Sequence, residues 1–249
     1  MKNINKLVAP IALLASLSVQ ADIIGGSVEA SYWYAGLGGD ASFGDTTIDA
    51  EDHLDFDNNS FFELAATVEH PVPLIPNVRL KYSDLDQTEK GTITDSFGSD
   101  SNPNQVAAGD VETNLDLSNV GLVLYYEILD NWVSADVGLD IRKFDGQLKI
   151  ARTDNSSEFQ IDIDKFLPLG YVSAEFAMPF TDMSAGAEVS AISYSGNSIH
   201  DAKVRFRQGF SLAFIEVGYR KMGIKLDDLS NTDIDIDFSG VYLSTGLDF

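Results

Sequence analysis

The last residues of the chain, SGVYLSTGLDF, alternate between two kinds of side chain and end on a large aromatic residue. Val241, Leu243, Thr245, Leu247 and Phe249 share one parity, and successive residues of a β-strand point to opposite faces. The pattern therefore predicts a strand with one face that stays largely apolar up to the final residue. Chain ends are usually frayed and polar, so this strand needs an unusual solvent on its apolar side.

The same period of two recurs along the chain. Val137 and Leu139, for example, alternate with Asp136 and Asp140. One apolar face and one charged face are typical of strands in a half-buried antiparallel sheet. Ten strands are predicted, at residues 26–36, 61–70, 77–84, 118–128, 133–144, 169–178, 183–194, 202–208, 212–222 and 238–249.

The connections between these strands fall into two classes that alternate along the chain. Short ones lie near residues 71–76, 129–132, 179–182 and 209–211. Long polar ones lie near 37–60, 85–117 and 145–168, with shorter relatives near 195–201 and 223–237. Short turns at one end and long loops at the other are typical of outer-membrane barrels. The sequence thus predicts an all-β fold, a transmembrane antiparallel up-and-down β-barrel of ten strands, with eight or twelve as alternatives.

The N-terminus indicates how such a chain would reach a membrane. Residues 1–21 combine Lys2 and Lys6 with an apolar run and a small-x-small site before Asp22. This pattern predicts a secretory signal peptide, because the apolar run is well short of the ~20 residues that span a bilayer. Residues 22–249 would then form a single barrel domain in the outer membrane of a Gram-negative cell.

Charge and cysteine content exclude several classes of function. Without Lys2 and Lys6, the 39 acidic residues face 14 basic ones, a net charge of −25. Nucleic acid is excluded as a partner, since phosphate binding needs a basic surface. The chain has no cysteine, so neither a disulfide nor a lipid-modified cysteine is expected.

Three stretches carry a family resemblance: ADIIGGSVEASYWYAGLGG at residues 21–39, VGYRKMGIKLDDL at 217–229 and FSGVYLSTGLDF at 238–249. They resemble a bacterial outer-membrane β-barrel family marked by an N-terminal Gly-Gly motif. The resemblance implies the fold and the outer membrane, and it implies no assigned activity. The terminal Phe249 also resembles the signal that the barrel-assembly machinery reads, although Leu247 and Ser244 stand where an aromatic residue and a glycine are common.

The charged parity of the strands predicts a lumen rich in both acids and bases. A buried carboxylate needs a cationic partner or it becomes neutral, and a barrel this narrow has little room beyond its side chains. We therefore expect ion pairs across the lumen rather than a wide pore. Solvated channel walls remain the alternative, because the lumens of pores are also polar. The predicted pairs involve Arg79, Lys81, Arg142, Arg205, Arg207, Glu63, Glu69 and Glu188.

Two further functions stay open beside a structural, envelope-surface or narrow-channel role without catalysis. One is a passive porin-like channel for small solutes. The other is a surface hydrolase that uses an aspartate–histidine pair. Its candidates are His53, beside Glu51 and Asp52, and His200, beside Asp201. The sequence shows no nucleophile elbow and no phosphate loop, and it predicts no cofactor, no metal centre and no catalytic site.

The acid-rich outer segments predict weak binding of divalent cations at most. Asp55 and Asp57 have the spacing that begins a calcium loop, but its glycine and closing glutamate are missing. Asp233, Asp235 and Asp237 share the parity of the final apolar residues. They would point outward at the level of lipid headgroups unless a bulge turns them inward. The expected partners are outer-membrane lipid, lipopolysaccharide and the barrel-assembly machinery.

Overall fold

The computed structural model describes residues 25–44, 46–72, 74–98, 105–229 and 232–249. The predicted signal peptide at residues 1–21 lies outside these ranges. Within them, no helix is long and apolar enough to cross a membrane.

The described part of the chain contains fifteen strands. They are β1 Gly25–Phe43, β2 Thr46–Asp49, β3 Asn59–Glu69, β4 Asn77–Asp84, β5 Asp86–Ile93, β6 Phe97–Gly98, β7 Gln105–Val106, β8 Gly109–Asp116, β9 Asn119–Leu129, β10 Val133–Arg152, β11 Glu158–Ala177, β12 Met183–Tyr194, β13 Asn197–Phe210, β14 Ala213–Leu229 and β15 Thr232–Asp248.

Ten of these strands close into an antiparallel barrel, in the order β1-β3-β4-β9-β10-β11-β12-β13-β14-β15 and back to β1. The predicted fold class and the count of ten are confirmed. Short turns and the C-terminus lie at one end, here called the turn end. At the other, the extended end, β8 pairs with the far half of β10, β5 pairs with β8, and β2 pairs with β1.

The last residue of the chain takes part in closing the barrel. The amide of Gly26 donates to the carbonyl of Phe249 at 2.8 Å, and the amide of Phe249 donates to the carbonyl of Gly26 at 2.9 Å. A Cβ on Gly26 would lie 2.9 Å from the Phe249 ring and 2.9 Å from the carbonyl oxygen of Thr67. The glycine therefore leaves the space in which the terminal ring packs.

The outward side of the barrel carries a belt of exposed apolar side chains. A surface this large and apolar is not stable against water, and it matches the lipid-facing band of a transmembrane barrel. Trp132, Phe180 and Phe249 are exposed at the turn end, where an aromatic girdle is expected. The belt includes Tyr32, Tyr34, Phe62, Leu80, Tyr82, Val120, Val137, Leu139, Val172, Val189, Val204, Phe206, Val217, Tyr219, Val241 and Leu243.

The long polar loops of the sequence-based prediction are wrong for most of their length, because these segments form strands. Residues 85–117 contain β5 to β8, and other segments continue the barrel strands. β10 and β11 pair as far as Ala151 and Glu158, and β14 and β15 pair as far as Leu229 and Thr232. The acid-rich stretches alternate aspartate with isoleucine, with the aspartates in solvent. Their isoleucines, such as Ile236, are buried inside the extended end.

We predict that Gly26→Val lowers the folded fraction of the barrel, because the new side chain would overlap the Phe249 ring and the Thr67 carbonyl. Overpacking of this kind costs about 1–3 kcal/mol. The folded fraction is measured by the heat-dependent shift of the band on a gel. Gly25→Val is the matched control, since a Cβ there has no neighbour closer than 3.8 Å. An equal loss of folded fraction in both variants would contradict the conclusion that Gly26 leaves the space for the Phe249 ring.

Candidate functional site in the barrel lumen

A cavity of about 620 Å³ lies inside the barrel at the turn end. We call it the vestibule. Its wall includes Gly25 and Phe249 from the two ends of the described barrel and Asp130 from a turn. Charged residues of both signs line it: Glu29, Glu63, Glu69, Arg79, Lys81, Glu127, Asp130, Asp136, Glu175, Glu188, Lys203, Arg205, Arg207, Glu216 and Asp248.

A layer of buried ion pairs closes the vestibule toward the middle of the barrel. It centres on Asp201, whose Oδ2 lies 2.8 Å from Nη2 of Arg220 and 2.8 Å from Nη1 of Arg142. Arg142 also reaches Asp140, with Nη2 2.7 Å from Oδ2, and Lys81 Nζ lies 2.9 Å from the same oxygen. These five side chains are almost completely buried, so their charges are balanced by one another rather than by water.

Two glutamates extend this network across the lumen. Glu63 on β3 accepts from Lys203 Nζ at 2.6 Å and from Arg220 Nη1 at 3.1 Å. Glu188 on β12 lies 3.1 Å from Arg79 Nη1 and 3.3 Å from Arg205 Nη1. We call the set the ion-pair layer, and its members are Glu63, Lys81, Asp140, Arg142, Glu188, Asp201, Lys203 and Arg220.

The remaining predicted lumen residues lie closer to the turn end. Arg207 contacts Glu216 and Asp248 at 3.5 Å each, and its guanidinium carbon lies 3.5 Å from the centre of the Phe214 ring. Glu69 accepts a 2.5 Å hydrogen bond from the hydroxyl of Tyr125.

Four of the predicted residues do not pair as expected. Lys81 and Arg142 bind aspartates, and Arg207 binds Glu216 and Asp248, rather than one of the predicted glutamates. Glu69 makes no ion pair within the described residues.

Asp201 is the central residue that the sequence-based analysis missed. The predicted strand began at residue 202, and Asp201 was considered only as a partner of His200. Its parity with Lys203 and Arg205, both lumen residues, was the available signal. In the structure Asp201 is 4 % exposed and points inward, whereas His200 is exposed on the outside of the barrel. The proposed Asp201–His200 pair is therefore not formed.

The other histidine candidate, His53, lies in the segment that follows β2. Its Nδ1 accepts a hydrogen bond of 3.0 Å from the amide of Asp49. No hydrogen bond or ion pair in the described part of the chain joins it to His200. Nor do the described ranges contain a group of three or more His, Cys, Asp or Glu side chains that could hold a metal ion.

An apolar cap fills the barrel above the ion-pair layer. At its base, the rings of Trp33, Phe61 and Phe238 pack against one another with centroids 5.5–6.1 Å apart. The guanidinium carbon of Arg220 lies 4.4 Å from the centre of the Trp33 ring, which joins the two layers. Other members of the cap are Leu37, Ile48, Phe56, Phe144, Ile150, Ile163, Ile224 and Ile236.

Little free space remains in these two layers. A cavity of about 10 Å³ lies between Trp33 and Arg220, and one of about 40 Å³ lies inside the cap. The smaller volume is at the limit for a single water molecule. Between the vestibule and the extended end, buried charged and apolar side chains of the described residues therefore occupy most of the lumen.

The aspartates near the start of β15 lie on the outside of the barrel. β15 keeps its register with β1 through Ser239 and Gly240, so no bulge turns them inward. Asp237 lies 3.3 Å from Lys221, and Asp235 lies 3.8 Å from Lys225. Cation binding at this surface remains a prediction, in competition with these lysines.

Comparison with known proteins supports the fold and leaves the role open. The sequence matches no family model and no curated protein. Among solved structures, the outer membrane protease OmpT from Escherichia coli is similar, with 8% identity, a TM-score of 0.50, and coverage of 92% of this chain and 96% of that one. The translocator domain of the autotransporter NalP from Neisseria meningitidis has 12% identity, a TM-score of 0.47, and coverage of 95% and 92%. The chain therefore has the fold of an outer-membrane β-barrel.

We predict that Arg220→Met lowers the free energy of unfolding by about 3–5 kcal/mol, because it leaves Asp201 and Glu63 short of a buried partner. Urea unfolding in lipid vesicles measures the change. Lys221→Met is the matched control on the outside of the same strand, where an exposed ion pair contributes at most about 1 kcal/mol. A similar small change in both variants would show that the ion-pair layer is not a buried network.

Proposed function

We propose that the protein is an integral outer-membrane barrel with a closed lumen, which supports the envelope and presents its extended end at the cell surface. One observation carries this proposal: the ion-pair layer and the apolar cap together fill the barrel between the vestibule and the extended end. A passive channel needs a continuous polar path, and beside Trp33 the described residues leave a cavity of only about 10 Å³.

The location in the outer membrane is supported by the apolar belt and by the arrangement of the turns. Short turns face the periplasm in barrels of this type. The turn end and its vestibule would therefore face the periplasm, and the extended end would face the outside of the cell. Export would use the signal peptide at residues 1–21. The partners we propose are lipid and lipopolysaccharide around the belt and the barrel-assembly machinery at Phe249.

Membership in the family marked by an N-terminal Gly-Gly motif is part of the same proposal. The described residues of the three stretches that carry the resemblance fall mainly on β1, β14 and β15, which are neighbours around the closing strand pair. Gly26, the second glycine of the motif, accommodates the ring of Phe249. If members of such a family all need to accommodate a terminal aromatic residue, this would explain why these three stretches of the chain resemble the family.

We expect the purified barrel to give no conductance steps of the size seen with wide general porins when it is inserted into a planar bilayer. A general porin in the same bilayer is the positive control, and the heat-dependent gel shift verifies that the inserted protein is folded. Porin-sized steps from folded protein would refute the closed lumen and favour the channel alternative.

A further inference from the structure

β11 is paired along its whole length on one side only. β10 pairs with it from Glu158 to Phe176, but β12 pairs with it only from Gly170 to Ala177. The cause is the early turn after β12. Ser195 and Gly196 have φ of 51° and 86°, which suits a two-residue hairpin turn. β12 therefore turns back before it reaches the level of the first residues of β11.

A side cleft results above this hairpin. One wall is the edge of β11 from Ile161 to Leu167, which no strand in the described ranges pairs on this side. The other wall is β14 beyond Lys225, where pairing with β13 ends. There the amide of Asp227 donates to Oδ1 of Asn197 at 3.1 Å instead of to a strand.

The floor of the cleft is apolar and only partly covered. Leu167, Ile192 and Leu226 are half-buried and pack against the apolar cap. Lys165 has the inward parity of its pairing partner Phe144, yet Lys165 is exposed while Phe144 is 2 % exposed. An inward residue that reaches solvent shows that the wall is open at this point.

Around the cleft the exposed acids outnumber the exposed base Lys165. Asp162 on β11 is exposed and accepts a hydrogen bond from Gln160 at 2.8 Å. Asp227 on β14 is exposed as well. Neither carboxylate has an ion-pair partner within the described residues. Of the neighbouring acids, Asp164 is paired with Lys143 on the outside of the barrel.

We propose that this edge of β11 is a docking surface for an extended segment of another protein in which basic and apolar residues alternate. Such a segment would add to the sheet as a strand, because an open edge offers a row of backbone donors and acceptors. Its apolar side chains would cover Leu167, Ile192 and Leu226. Its basic side chains would lie beside Asp162 and Asp227.

A second copy of this chain fits the surface poorly. The predicted mature chain carries a net charge of −25, and pairing two β11 edges would bring the same aspartates together. Like charges placed across an interface cost affinity. The proposal does not depend on the closed lumen, so the result of the conductance experiment does not decide the result of the docking experiment.

The test uses the folded barrel in detergent micelles and a fluorescent peptide of about seven residues that alternates lysine and valine, the length of a short strand. Fluorescence anisotropy measures its affinity. We expect saturable binding, and a loss of about tenfold or more when alternate amides of the peptide are N-methylated, since those amides donate to the open edge. Equal affinity of the methylated peptide, or no binding of the plain one, would overturn the proposal.

The variant arm separates docking from general attraction to an acidic protein. The double variant Asp162→Lys, Asp227→Lys is expected to lower the affinity for the peptide by about tenfold or more. Asp86→Lys with Glu112→Lys is the control, because these acids are exposed on β5 and β8 outside the cleft. If the control pair weakens binding as much as the cleft pair, the attraction is non-specific and the docking surface is refuted.

Discussion

The rest of the barrel depends on the neutralisation of Asp201 inside the lumen. Two arginines from different strands, Arg142 and Arg220, meet its carboxylate at 2.8 Å each. Each arginine then binds a second carboxylate, so β3, β10, β13 and β14 are held by one set of charges. An isolated ion in this interior would cost several kcal/mol, so these charges favour the one arrangement in which the four strands bring them together in the lumen.

Whether the barrel interior is charged or apolar depends on whether lipid or water surrounds the barrel at that level. This explains why the ion-pair layer and the apolar cap lie at different levels. Where lipid surrounds it, the outward side chains are apolar and the inward ones are charged. Beyond the lipid the outside is water, so the aspartates turn outward and the isoleucines form a core like that of a soluble protein. The parity of apolar residues therefore reverses along single strands: in β10 from outward Leu139 to inward Leu148, and in β15 from outward Val241 to inward Ile236.

This reversal explains which parts of the structure could be predicted from the sequence. Within the belt, alternation with one fixed parity identified all ten strands and most of the lumen charges. Beyond the belt, the parity changes and acids fill every second position, so segments such as residues 145–168 resembled polar loops. Asp201 lies at this border, which is why it was assigned to the wrong partner. The cleft beside β11 could not be predicted either, because it depends on how far neighbouring strands extend relative to one another.

The same reasoning limits where function can reside in such a molecule. The ion-pair layer balances its acids against its bases, and removing any one charge would leave a buried partner short of its counter-charge. The exterior is less constrained, since exposed ion pairs such as Lys221 with Asp237 contribute little to stability. Change is therefore least costly at the extended end, where the strands stand in water, keep their own apolar core and differ in length. That is where this barrel leaves a strand edge open.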